Sequence, residues 1–257
     1  MEWNPPEHPQ LSRPPLLAAT AALYLDFDGT LAEFAPRPDR VVIQNALPGL
    51  LMALYARLGG AVAVVSGRAL ADLDAYIAPA ALPGAGLHGA ELRPAAGGTS
   101  LIDRPDSVPP LLKRLRERFD ADRRLVIEDK GAAIALHYRL APERAEECVA
   151  TMRALATAPD LKVIVGKRVV EARPRDADKG RAICALALHK PFAARPPVFV
   201  GDDVTDEDGF RAAAELGGCG VKVGAGATAA RYRLADVGQV HVWLQASLRA
   251  LMPGGGS

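Results

Sequence analysis

The chain has 257 residues, with 31 lysines and arginines against 30 aspartates and glutamates and a net charge of +1. That balance excludes a global field that would recruit nucleic acid or an anionic membrane, so any anion must be captured locally. Hydrophobic residues at 49% and charged residues at 24% exclude a disordered or fibrous chain, and the length suits one large domain or two ordinary ones.

Residues 1–15 are rich in proline and polar groups and read as a flexible lead-in. Next comes an apolar run, Leu23-Tyr24-Leu25, that breaks into Asp26-Phe27-Asp28-Gly29-Thr30. After a proline-bearing loop over Glu33–Arg40, Pro48 and the stripe Leu51, Leu54, Tyr55 and Leu58 predict an amphipathic helix ended by Gly59-Gly60. Ala61-Val-Ala-Val-Val predicts a buried strand that ends in Ser66-Gly67-Arg68, and a helix follows over Ala69–Ile77. Strand and helix in alternation imply right-handed crossovers and a parallel sheet. A third strand near Gly84–Leu87 leads into His88-Gly89-Ala90-Glu91.

The texture then changes. Helix Pro109–Phe119, strands Leu125–Asp129 and Ala132–Tyr138, helix Pro142–Ala158 and strands Lys162–Val165 and Val169–Arg173 describe an α+β unit with helices on one face of its sheet. Ile134, Leu136 and Tyr138 share one side of their strand, with His137 and Arg139 on the other, and Val169, Glu171 and Arg173 share a side of the last. The α/β pattern resumes with a helix from Lys179, a strand Pro197–Val200 ending in Gly201-Asp202-Asp203-Val204-Thr205-Asp206, a helix Glu207–Leu216, a strand Gly220–Val223 and a closing helix Val242–Met252. Gly254–Ser257 reads as a flexible tail. Cys148, Cys184 and Cys219 lie far apart without C-x-x-C spacing, which argues against a disulfide framework or a zinc site. No secretory leader and no run of about 18 apolar residues is evident, so a cytoplasmic protein without a membrane span is expected.

Asp26 and Asp28 stand two residues apart, roughly 6.5 Å in an extended strand, and point the same way. Two carboxylates with no basic neighbour ionise together only if a cation neutralises them, and an all-oxygen site suits Mg²⁺. Gly29 lets the backbone turn and Thr30 offers a hydroxyl to an anion.

The order D-x-D-G-T, serine after the second strand, lysine, then G-D-D-x-x-D resembles the haloacid dehalogenase (HAD) superfamily. The resemblance implies an α/β fold, a Rossmann-like core with a parallel sheet carrying an inserted α+β cap of the C2 type. The expected boundaries are 16–98 and 174–252 for the core and 99–173 for the cap. It further implies that Asp26 is a nucleophile forming an aspartyl-phosphate, and that Asp28 protonates the leaving oxygen and activates water. Mg²⁺ would be held by Asp26, Asp28 through its carbonyl, and Asp202. Asp203 and Asp206 would support that shell, unless either caps the following helix. Thr30, Ser66, Gly67, Arg68 and Lys179 would bind the phosphate, although Arg68 could instead cap the sheet edge.

Val-Val-Ser-Gly-Arg, Gly-Leu-His-Gly-Ala-Glu, Glu-Asp-Lys-Gly, Leu-His-Tyr-Arg, Val-Glu-Ala-Arg-Pro and Gly-Asp-Asp-x-Thr-Asp-Glu resemble the trehalose-6-phosphate phosphatases from about Ala22 to Val223. That implies hydrolysis of trehalose 6-phosphate, with other capped enzymes acting on sucrose phosphate or mannosyl-phosphoglycerate as the neighbouring alternative and a non-catalytic partner of a synthase as the distant one. For sugar contacts it points to Lys167 and Glu171, then Lys130, His137 and Arg139, with His88 and Glu91 at the hinge. Lys130 could equally serve a hairpin turn, Arg139 pair with Glu143, His137 be structural, and His88 and Glu91 simply hold the domains together. A phosphosugar is the expected small-molecule partner, without nucleic acid or membrane. The sequence is silent on oligomeric state, with a monomer as one option and a trehalose-phosphate synthase as a candidate associate.

Overall fold

A computed structural model describes residues 11–33, 43–166 and 168–252. The chain runs through β1 (Ala22–Leu25), α1 (Leu47–Arg57), β2 (Val62–Val65), α2 (Leu70–Ile77), β3 (Gly84–Gly86), β4 (Glu91–Arg93) and β5 (Leu101–Ile102). A second unit follows, with α3 (Val108–Phe119), β6 (Val126–Asp129), β7 (Ile134–His137), α4 (Ala145–Leu155), β8 (Leu161–Gly166) and β9 (Val169–Pro174). The first unit then resumes with α5 (Lys179–Ala187), β10 (Pro197–Gly201), α6 (Glu207–Glu215), β11 (Cys219–Val223), β12 (Tyr232–Leu234) and α7 (Val237–Ala250).

The large sheet has the order β12-β11-β10-β1-β2-β3-β4-β5. It is parallel from β12 to β3 and antiparallel at β4 and β5. Successive residues of β1 serve opposite faces. Leu23 and Leu25 pack with α1, α2 and α7, whereas Ala22 and Tyr24 pack with α5 and α6. Runs that are apolar at every position are what a parallel sheet covered on both faces demands. The smaller sheet, β6-β7-β9-β8, is covered by α3 and α4 on one side only. There Ile134, Leu136, Tyr138, Val170 and Ala172 enter the cap's apolar core. His137, Glu171 and Arg173 therefore take the other face, as the alternation of the strands predicts.

The α/β reading with an inserted α+β unit agrees with this architecture, and several details differ. Leu101 and Ile102 were expected in the inserted unit but form β5, which pairs with β4, so the large sheet extends to Ile102. β4, β5 and β12 were not expected at all. They have two or three residues each and draw their pairing from neighbouring strands rather than from a pattern of their own. The helix expected over Pro142–Ala158 opens as a 3-10 turn, Pro142–Arg144, and α4 ends at Leu155. The closing helix begins at Val237, where Asp236 accepts the Gln239 N–H at 2.8 Å and caps it.

Part of the expected flexible lead-in is docked. The Ser12 carbonyl accepts the Arg233 N–H at 3.1 Å, and the Pro15 carbonyl accepts the Trp243 indole N–H at 2.9 Å. Residues 1–10, most of the loop expected over Glu33–Arg40, and the tail at 254–257 lie outside the described residues.

Phe210 and Phe199 meet at 5.4 Å between ring centroids, both fully buried under α6. Phe210→Ala is expected to cost about 3–5 kcal/mol through lost burial and a cavity, read as a lower urea midpoint at unchanged m-value.

Candidate active site

The strand order reverses between β1 and β10, and the crevice beyond their carboxyl ends is where open α/β sheets bind ligands. Asp26 follows β1, Ser66 follows β2 and Asp202 follows β10, so all three converge on that edge. Lys179, the first residue of α5, donates to Asp26 Oδ1 at 2.7 Å and to Asp206 Oδ1 at 2.6 Å, and all three side chains are buried. Asp206 Oδ2 accepts the backbone N–H groups of Asp202 and Asp203, each at 2.9 Å. Asp206 thus serves as both local cap and salt bridge. Gly201 is required for this: a Cβ there would lie 2.4 Å from Asp206 Cγ. A residue the sequence reading missed, Lys222, stands beside Gly201 in the ladder and donates to the Asp202 carbonyl. A lysine buried inside the apolar run Gly-Val-Lys-Val was the signal for it.

Burial raises the Asp26 pKa, and the Asp206 carboxylate adds to this against the opposing pull of Lys179. Burial works against the Lys179 charge, but Asp26 and Asp206 outweigh it and hold the ammonium protonated. Asp202 is pushed up to about 6 by burial and then by Asp206. Asp26, Asp202 and Asp206 each offer an oxygen, all within 4.8 Å of one another. Asp202 Oδ1 is buried without a hydrogen-bond partner. This oxygen-only set, with more carboxylates than cations, fits a hard divalent ion such as Mg²⁺. The Asp28 and Asp203 side chains are not in the cluster. Asp203 is exposed and accepts the Thr205 hydroxyl at 3.4 Å.

On the phosphate side, Ser66 is buried and its Oγ accepts the Arg68 N–H at 3.2 Å, while the buried Thr30 hydroxyl has no partner. Arg68, expected to reach a phosphate or cap the sheet, instead grips both oxygens of Asp28 at 2.6 and 2.7 Å. Its guanidinium also lies over the rings of Phe27 and Tyr76, 5.7 and 5.3 Å from their centroids.

His88 sits in a run of positive φ angles, 51° at Leu87, 57° at His88 and 106° at Gly89. Its N–H bonds to the Ser66 carbonyl at 2.9 Å and its ring covers Gly67, where a Cβ would lie 2.6 Å from Nε2. Burial, then the charges of Arg173, Lys179, Lys130 and Lys162, lower the imidazole pKa to about 2, so the ring is neutral, and its Nδ1 has no partner. Glu91, expected to touch the sugar or to hold the domains together, is buried and accepts the Leu70 N–H at 2.8 Å, which fixes the start of α2.

From the cap, Lys130 pairs with Glu171 at 2.8 Å and His137 with Glu128 at 2.8 Å. Glu143, the expected partner of Arg139, pairs with Arg124 at 2.8 Å, and Arg139 is exposed. Lys167 lies outside the described residues.

Residues 24–238 match the trehalose-phosphatase family profile. The trehalose-6-phosphate phosphatase of Escherichia coli (strain K12) is 43% identical over 245 residues, covering 94% of this chain and 91% of that protein. The chain belongs to the trehalose-phosphatase family. Its fold is also that of the C-terminal domain of the Candida albicans trehalose-6-phosphate phosphatase, with a TM-score of 0.69 at 24% identity over 89% of this chain and 92% of that one. BT1666 of Bacteroides thetaiotaomicron, a phosphatase of the haloalkanoate (HAD) superfamily, shares the fold at a TM-score of 0.60 and 15% identity, covering 97% of this chain and 99% of that one. No helix among the described residues is long and apolar enough to cross a membrane.

Two outcomes follow for this family member. Asp202→Asn removes a carboxylate held against Asp206, so the metal-free variant should melt above the metal-free parent, and added Mg²⁺ should raise the melting point of the parent but not of the variant, as read by calorimetry. His88 is neutral in the fold but takes a proton near pH 6.5 when unfolded. The unfolded state then binds the extra proton, and stability is lost as pH falls below about 6.5, by up to roughly 1.4 kcal/mol per unit. Urea midpoints between pH 7.5 and 5 should fall less steeply in His88→Gln.

Proposed function

We propose that this protein hydrolyses trehalose 6-phosphate to trehalose and phosphate, a step of trehalose synthesis. The observation that carries the reading is Lys179 clasped between Asp26 and Asp206 at the end of the central strands, with Asp202 completing the carboxylate cluster. The family membership and the polar cap face opposite this floor support the sugar.

Asp26 attacks phosphorus in line. A P–O bond to Asp26 forms as the bond to the sugar oxygen breaks, and Asp28 gives that oxygen its proton. Water, deprotonated by Asp28, then attacks the aspartyl-phosphate and restores Asp26. Lys179 keeps the Asp26 carboxylate aimed and offsets the dianion's charge, and Ser66 and Thr30 offer hydroxyls to the phosphoryl oxygens. Because Arg68 occupies both Asp28 oxygens, that pair must part for proton transfer. A Mg²⁺ ion held by Asp26 and Asp202, with Asp206 as the strut, would supply charge neutralisation for the incoming phosphate.

In the cap, the Lys130–Glu171 pair offers a donor and an acceptor together, which is what sugar hydroxyls require. His137, Arg139 and Lys167 are further candidates for the same hydroxyls. Three free cysteines are consistent with a reducing, cytoplasmic setting. A synthase that makes the substrate is the candidate protein partner, and co-elution in size-exclusion chromatography would show it.

Phosphate release from trehalose 6-phosphate, sucrose 6-phosphate, glucose 6-phosphate and p-nitrophenyl phosphate, with Mg²⁺ and with chelator, tests the whole reading. A Mg²⁺-dependent preference for trehalose 6-phosphate is expected, and preference for another sugar would overturn the substrate while leaving the chemistry. Asp26→Asn should reduce turnover by at least about a thousandfold. Glu171→Gln should raise KM for trehalose 6-phosphate roughly tenfold and leave p-nitrophenyl phosphate unchanged.

A further inference from the structure

β9 turns Val170 and Ala172 into the cap's apolar core, so Arg173 projects from the opposite face, one residue before the strand ends at Pro174. Arg173 is only 9% exposed, yet its guanidinium makes no ion pair with a described residue and its Nε is buried with no hydrogen-bond partner. A guanidinium cannot relieve such a position by losing its proton. A second cation stands beside it. Lys162 is directly opposite on β8, with its ammonium bound to the neutral carbonyls of Arg175 at 2.8 Å and Ala177 at 3.2 Å and with Asp178, Asp208 and Asp176 acting on it from a distance. Glu171, on the same strand face, offsets part of the Arg173 charge but has its carboxylate bound to Lys130 at 2.8 Å. Arg173 also bears on the His88 ring, which packs on Gly67 next to Ser66, so the guanidinium faces the phosphate loop across the junction of cap and core.

We infer that Arg173 is the cap's phosphate ligand, taking the phosphoryl dianion of the substrate, and inorganic phosphate after hydrolysis, from the side opposite Ser66 and Lys179. The inference rests on the phosphatase reading of the floor. A neutral sugar hydroxyl would leave the charge with only the share of Glu171 that Lys130 does not take, whereas a dianion compensates it and matches the planar fork of the guanidinium. The Lys130–Glu171 pair, already balanced in charge, is left for the sugar. Arg173 thereby makes the cap sense the group to be cleaved, and the loss of phosphate removes the charge that draws the cap to the core.

The test uses the Mg²⁺-loaded protein and inorganic phosphate, so it does not depend on which sugar is the substrate. Phosphate affinity is measured by isothermal titration calorimetry, and as competitive inhibition of p-nitrophenyl phosphate hydrolysis, in the parent, Arg173→Gln and Arg173→Lys. Arg173→Gln should weaken phosphate binding about tenfold or more, the scale of a lost charge-assisted hydrogen bond. Arg173→Lys, which keeps the charge and loses the fork, should fall between. The melting midpoint without phosphate should not drop in Arg173→Gln, because an uncompensated charge has been removed. Unchanged phosphate affinity in Arg173→Gln overturns the inference, and a lowered melting point beside unchanged affinity assigns Arg173 a purely structural role, which overturns it as well. A parent that hydrolyses p-nitrophenyl phosphate but binds no phosphate overturns the inference and leaves the phosphatase reading standing, whereas a parent with no turnover of any phosphate ester removes both.

Discussion

The clasp of Lys179 by Asp26 and Asp206 is the constraint on which the rest of the site depends. It joins the start of α5 to the end of β1, 153 residues away, and to the loop after β10, 27 residues away. Burying charges is costly unless partners and hydrogen bonds compensate them. Here the compensation is complete for Lys179 and for Asp206, whose second oxygen takes two backbone N–H groups. It is incomplete for Asp202, whose Oδ1 is buried and unpartnered. Three carboxylates around one ammonium leave a surplus of negative charge, and a divalent cation is the natural complement.

That surplus on the floor faces an opposite surplus on the cap. Lys130, Lys162 and Arg173 all bear on the junction, where Glu171 is bound to Lys130 and Asp178 acts on Lys162. The two halves are therefore complementary to each other and to a phosphate ester brought between them with its metal ion. Close backbone approaches make the arrangement compact. Gly67 lies under the His88 ring and Gly201 under the Asp206 carboxyl, and a Cβ at either would fall within 2.6 Å of the group above it. The left-handed backbone at His88 is held by hydrogen bonds from Leu87 and His88 to the 66–68 loop, so the two segments form one unit.

Arg68 shows how a neighbouring group sets the resting state. Its fork closes on both oxygens of Asp28 while its plane rests on two aromatic rings. The Asp28 carboxylate is thereby held in one place at the end of β1.

By itself the sequence determined the layers of the fold and the floor of the site. Each of Asp26, Ser66 and Asp202 ends a fully apolar run, and such runs are confined to parallel strands whose carboxyl ends share an edge. Strand alternation likewise sorted Leu136 from His137 and Ala172 from Arg173. Only the tertiary structure decided which groups answer one another. Arg68 and Asp28 are 40 residues apart, Lys222 reaches back 20 residues to Asp202, Glu91 was taken up by Leu70, and Glu143 went to Arg124 rather than Arg139. The short strands β4, β5 and β12 were hidden for the same reason. Local pattern and propensity act over a few residues, whereas pairing, burial and charge compensation are settled by distances that exist only once the chain has closed on itself.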